Sequence, residues 1–155
     1  MTKKVSSSIT EVSYLVLPND TNPLGFLRGG VLMEWMDIAS EITAQKHAHC
    51  VALTIAIDTV SFKSPIKSGD TVHIKAQMTR AFNTSMEIYV QVWASSLPDM
   101  QIRKTNEAFF TFVAIEEDGK PREISSIEPI NEEEEKLYTA AMERRRTKIE
   151  AATTN

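Results

Sequence analysis

The chain has 155 residues, 42% apolar and 25% charged, with a formal net charge of -4. That is the balance of a single globular domain, and it excludes an overall basic field for nucleic acid while leaving room for a local basic pocket. The one cysteine rules out an intrachain disulfide, no apolar run approaches the ~20 residues that span a bilayer, and MTKKVSSSIT lacks the apolar stretch of a signal peptide, so a cytoplasmic location is expected.

Residues 8–17 read as a strand, with Val12, Tyr14 and Val16 alternating against Ser13, Leu15 and Leu17 until Pro18, which has no N–H to give a ladder. Residues 19–30 form a loop rich in turn formers. Residues 31–46 read as a helix, with Leu32, Trp35, Met36, Ala39, Ile42 and Thr43 at three- and four-residue steps and Glu34, Asp37 and Glu41 on the opposite stripe. Four strands follow, at 51–63, 71–80, 86–95 and 106–115. The first is rich in β-branched residues and the next two alternate cleanly; the last, NEAFFTFVAI, is apolar on both faces, as in a strand covered on each side. Pro121 stops the sheet. From Asn131 a second helix begins, with Asn131 as cap, four glutamates in its first turn and Arg144, Arg145, Arg146 and Lys148 late, which complements the helix dipole. The arginine run reads as a solvated helix end in preference to a phosphate contact. This order predicts an α+β fold, an antiparallel sheet of about five strands against one long helix. It divides into a domain over 1–130 and a helical tail over 131–155. Tyr89 and Trp93, opposite the Met86–Ala94 row, make the second face partly apolar, so a second subunit is expected over an edge or face.

Three features gather at the start of the long helix. Gly29-Gly30 leaves room for close approach to the first-turn N–H groups, a donor set for developing negative charge; the plainer reading is a tight turn with no ligand. Asp37 is a possible general base or an ordinary surface aspartate, with Glu34 and Glu41 as competitors. Asn22 can orient water or donate to an oxyanion, or it can satisfy its own loop as an Asx-turn. His47, His49 and Cys50 stand close in sequence, but a metal site needs more ligands, and Cys50 reads as a small residue at a helix end.

The segments PNDTNPLGFLRGGVLMEWMDIAS, TVSFKSPIKSGDTV, TRAFNTSMEIYVQVWA and TNEAFFTFVAIEEDGKPREI, over about residues 10–125, closely resemble the hot-dog acyl-CoA hydrolases of the YciA and brain acyl-CoA hydrolase type. The resemblance implies the hot-dog fold, a sheet wrapped around the long helix, with homodimers joined sheet edge to edge and assembled as trimers of dimers (hexamers). It implies hydrolysis of acyl-CoA to a free acid and CoA. Asp37 would activate water and Asn22 would act from the opposite subunit, while the N–H groups of Gly30 and Val31 hold the thioester oxygen. No metal or resident cofactor is expected, coenzyme A being part of the substrate. The CoA contacts would come from Thr84 and Ser85, with Arg80 or Lys63 at the phosphates. The sequence departs from the family at Asn83, where G-R-T-S usually supplies an arginine, at Arg28, where an aromatic residue is usual, and at Pro23. Two other functions compete. A hot-dog hydratase would need a histidine where the loop offers Asn22. A non-catalytic acyl-CoA binding module would use the same groove without turnover. Neither nucleic acid nor a membrane is an expected partner.

Overall fold

The computed structural model describes residues 1–153. Its elements are β1 (Thr2–Lys4), β2 (Thr10–Leu15), α1 (Gly29–Ala48), β3 (Val51–Phe62), β4 (Thr71–Ala81), β5 (Ser85–Ser95), β6 (Ile102–Ile115), β7 (Ser126–Glu128) and α2 (Glu132–Thr153), with single 3₁₀ turns at Val5–Ser7 and Pro18–Asp20. Five strands form one antiparallel sheet in the order β2-β4-β5-β6-β3, and β1 pairs with β7 in a small parallel sheet. The alternation along β4 and β5 turns Val72, Ile74, Ala76, Met78, Met86, Ile88 and Val90 to one face, where all are buried with Phe110 and Phe112 of β6. That face wraps α1, which touches all five strands. Each fully buried large side chain stabilises the fold by about 1.5–3 kcal/mol.

The helix differs from the sequence expectation in extent and rotation. It starts at Gly29 and runs to Ala48, with His49 in the left-handed region at φ 56° as its C-cap. Two glycines therefore lie inside the first turn despite costing about 1 kcal/mol each in a helix interior. Ile42, expected inside, is exposed, whereas Ala39, Ser40, Thr43, Ala44 and His47 face the sheet. Small side chains on that stripe let the helix lie close to the strands. Thr43 Oγ1 donates to Thr10 Oγ1 at 2.8 Å, and Trp35 stacks on Tyr14 at 4.3 Å.

The outer face of the sheet is covered in part by the chain's own α2, where its apolar character had suggested a second subunit. Asn131 caps α2 as expected, its Oδ1 accepting from Glu134 N at 2.8 Å. The arginine run is solvated only in part: Arg145 and Arg146 are exposed as expected, whereas Arg144 and Lys148 are drawn onto the sheet. Arg144 grips Glu87 of β5 through hydrogen bonds of 2.6 to 3.1 Å and lies 3.8 Å over the Phe109 ring. Glu87, 3% exposed, also accepts from Thr79 Oγ1 at 2.7 Å. Lys148 reaches Asp58 of β3 at 2.5 Å. The opposite edge of β3 is unpaired and lined by exposed Val51, Leu53, Ile55, Ile57 and Phe62. Such an edge is a template for another strand.

Candidate active site

The N-terminus of α1 presents uncapped backbone donors. Arg28 occupies the N-cap position with extended backbone but makes no side-chain cap, and the first backbone bond of the helix runs from Leu32 N to Arg28 O at 3.1 Å. Among the described residues the N–H groups of Gly29, Gly30 and Val31 have no acceptor. A Cβ on either glycine would meet nothing within 4 Å, and neither glycine has positive φ. Among the described residues neither packing nor backbone conformation requires glycine there, and the first-turn N–H groups are open to approach. A cavity of about 280 Å³ opens at this point, lined by Leu27, Gly29, Leu32, Phe62, Lys63 and Asn106.

The preceding loop is held rigidly. Asp20 O accepts from Arg28 N at 3.0 Å, Leu27 N donates to Ile66 O at 2.7 Å, and Gly25 takes φ 81°, where glycine is the residue that fits without strain. Asn22 does organise its loop: its Oδ1 accepts from Leu24 N at 2.9 Å and Phe26 N at 3.1 Å. Those two backbone donors fix the orientation of the carboxamide, because its nitrogen cannot accept from them. The NH₂ group is left without a partner among the described residues, so what Asn22 offers outward is a donor. The two readings of Asn22 are thus compatible, one at each end of the same amide.

Asp37 is half-buried, and its Oδ1 accepts from Thr54 Oγ1 of β3 at 2.6 Å. Its rivals are placed differently: Glu34 is exposed, and Glu41 accepts from Gln45 Nε2 on the helix surface. Asp37 stands seven residues after Gly30 on nearly the same side of α1, about 10 Å along the axis. That is too far for one water to bridge Asp37 and a carbonyl held at Gly30 of the same chain.

The family profile described as Thioesterase superfamily matches residues 24–99. A solved structure described as an apo-hexameric acyl-CoA thioesterase superposes with a TM-score of 0.95 at 38% identity, over 99% of each chain. The chain belongs to the thioesterase superfamily. Its fold is the hot-dog fold expected from the sequence. Acyl-CoA hydrolase from Staphylococcus aureus, solved with butyryl coenzyme A and coenzyme A, matches at 33% identity and TM-score 0.90 over 99% of this chain and 96% of that one. The acyl-CoA thioester hydrolase YciA of Salmonella typhimurium is 39% identical over 70% of this chain and 84% of its own length. This thioesterase domain spans 24% and 36% of the length of two mouse relatives it matches, acyl-coenzyme A thioesterase 11 and a cytosolic acyl coenzyme A thioester hydrolase.

The residues expected at the CoA end of a thioesterase site are not gathered in one place within a chain. Arg80 is engaged by α2, donating to Tyr138 O at 3.2 Å with its guanidinium 3.9 Å over the Tyr138 ring. Lys63 lies beyond the end of β3, 3.9 Å from Glu107, whereas Thr84 and Ser85 turn between β4 and β5 near the β6 residues that pair with the start of β3. His47 is buried and bonded to Ser125 O, while His49 is exposed. Two contacts escaped the sequence reading, Thr54 to Asp37 and Arg144 to Glu87. Thr54 had a readable signal, since alternation puts it on the same side of β3 as the inward Ala52; Arg144 had none, because its partner Glu87 is remote in sequence.

Proposed function

We propose that this protein is an acyl-CoA thioesterase whose sites form between two copies joined along β3. Two-fold antiparallel pairing of β3 sets the start of one strand against the end of the other. Asp37 and Thr54 of one copy then face the helix N-terminus, Asn22 and the Gly29 cavity of the other. The thioester carbonyl accepts from Gly30 and Val31 N–H. Asp37 takes a proton from water as the water oxygen attacks the carbonyl carbon, and Thr54 keeps the carboxylate aimed. The first-turn donors and the Asn22 NH₂ stabilise the oxyanion as charge grows. Collapse breaks the C–S bond; the departing thiolate takes up the proton held by Asp37, so the acid and CoA thiol leave and the carboxylate is restored. The reaction needs no resident cofactor or metal. Thr84 and Ser85 of one copy, with Lys63 of the other, receive the CoA portion; Arg80 is left to hold α2. Assembly of such dimers into a hexamer, the state named for the superposed apo structure, is part of the same reading.

The observation that carries the proposal is the Asp37–Thr54 bond in its sequence setting. Structures of the Staphylococcus aureus acyl-CoA hydrolase include variants in which an asparagine, an aspartate and a threonine are each replaced by alanine. In that numbering the three are separated by 15 and 17 residues, as are Asn22, Asp37 and Thr54. The test is free-thiol release from acyl-CoAs between acetyl and palmitoyl, with wild type and Asp37→Asn side by side. Turnover cut by at least about 10²-fold in the variant is expected. Acyl-CoA binding without turnover by the wild type would replace the hydrolase by a binding module.

A further inference from the structure

We propose that Arg145, carried on α2, is a phosphate contact for the CoA portion of the substrate at the β4–β5 turn. This deepens the acyl-CoA reading above and rests on it. The helix is fastened by three other contacts, Arg144 to Glu87, Lys148 to Asp58, and Tyr138 to Arg80. Between them Arg145 lays its guanidinium 4.2 Å over the ring of Phe82, next to Asn83, Thr84 and Ser85. Its neighbours Arg144, Arg146 and Lys148 each pair with a carboxylate; among the described residues Arg145 has none. Stacking holds the guanidinium plane and leaves its N–H edge free, the arrangement that binds phosphate through two parallel hydrogen bonds.

The surroundings fit one phosphate group. A cavity of about 210 Å³ is lined by Phe82, Ser85, Thr111, Arg145 and Lys148, with Glu87 at its wall. Glu87, the acid of the cavity lining, is engaged by Arg144, and Lys148 is taken up by Asp58, which leaves Arg145 as the lining charge without a carboxylate among the described residues. The turn has a neutral Asn83 where an arginine was expected, and Phe82 offers the platform on which an arginine from elsewhere settles.

The test combines equilibrium binding of CoA with turnover of butyryl-CoA, butyryl-dephospho-CoA and butyryl-N-acetylcysteamine by wild type, Arg145→Ala and Arg146→Ala. Alanine sustains a helix, and melting curves confirm that the variants remain folded. Arg145→Ala should weaken CoA binding and raise KM for butyryl-CoA by about tenfold, the scale of one charge-assisted hydrogen bond. The phosphate-free thioester should be indifferent to it, and Arg146→Ala should behave as wild type. If dephospho-CoA abolishes the difference between wild type and Arg145→Ala, the contact is the 3′-phosphate; if the difference persists, it is the pyrophosphate. Unchanged CoA affinity in Arg145→Ala, or an equal loss on the phosphate-free thioester, overturns the assignment. Failure of the hydrolase reading would look different: CoA binding still sensitive to Arg145, with no thiol released by wild type.

Discussion

A composite site makes a quantitative prediction for mixed oligomers. Asp37→Asn removes the base, and Asn22→Asp replaces the outward NH₂ by an oxygen while keeping the acceptor that binds Leu24 N and Phe26 N. Each homogeneous variant should lose at least about 10²-fold in kcat, the scale of one general base or one oxyanion donor. With about 10 Å between Asp37 and the donors of its own helix, each complete site in the proposed dimer takes Asp37 from one copy and Asn22 from the other. Equal co-expression makes about half of the dimers mixed, and a mixed dimer holds one undamaged site of its two. The preparation should therefore recover about a quarter of wild-type turnover, whatever larger assembly the dimers enter. Thiol release is measured on material carrying a different tag on each variant, which establishes that subunits have mixed. Mixed dimers as inactive as the parents would mean that both groups serve the same site within one chain, and the geometric argument would be wrong.

Other consequences can be checked separately. Thr54→Val removes the 2.6 Å bond to Asp37 and should lower kcat by about tenfold with little effect on CoA affinity, measured by steady-state kinetics. Arg144→Met strands a buried carboxylate on Glu87 and should cost about 3–5 kcal/mol, lowering Tm by roughly 6–20 °C; adding Glu87→Leu should restore most of it, which calorimetry can follow. Burial, with the Lys3 charge nearby, holds the His47 imidazole below its ordinary value of 6.5, and its Nδ1 has no partner while Nε2 faces Ser125 O. The unfolded chain therefore binds a proton near pH 6 that the folded chain refuses, so stability is full above about 6.5 and falls as pH drops below it. Thermal melts from pH 7.5 to 5.5 should show this decline, and His47→Gln should flatten it.

Much of the fold was legible because its signals are local and repeat. The period of two in Val72–Met78 and Met86–Ala94 is enforced by a single buried face, and the structure keeps each of those side chains inside. The helix was legible in kind but not in rotation. Ile42 looked like core on hydropathy, yet the inward stripe is built from Ala39, Ser40, Thr43 and Ala44, whose value lies in close approach to the strands. The short β1–β7 pair was missed because three residues on each side carry no period, and what joins them is separated by more than a hundred residues.

At the candidate site, legibility followed the same division. Asn22, Gly30, Val31 and Asp37 lie in one continuous stretch, so spacing and resemblance together single them out as candidates. At the CoA end the expected residues are scattered, and Arg80, which looks free in sequence, is held by Tyr138 in space. The tail helix was read as solvated because an arginine run is usually so. Here its partners lie between 35 and 63 residues earlier, on β5, β6 and the β4–β5 turn, and only the folded sheet presents Glu87, Phe82 and Phe109 to Arg144 and Arg145.

The start of α1 links stability to chemistry. Arg28 has φ -67° and ψ 137°, the backbone of an N-cap, and yet its side chain caps nothing. A serine or aspartate there would accept from Gly30 or Val31 N–H and stabilise the helix by about 1 kcal/mol, or roughly 2–4 °C in Tm. Those are the donors the proposed mechanism reserves for the thioester oxygen. Arg28→Asp should therefore raise Tm and lower kcat together, a trade of activity for stability. Arg28→Ala, which removes the charge without adding a cap, separates the causes: it should leave the melting temperature near wild type and retain more turnover than Arg28→Asp. An aspartate variant that melts higher and hydrolyses as fast as wild type would show that the first-turn N–H groups are not where the oxyanion forms.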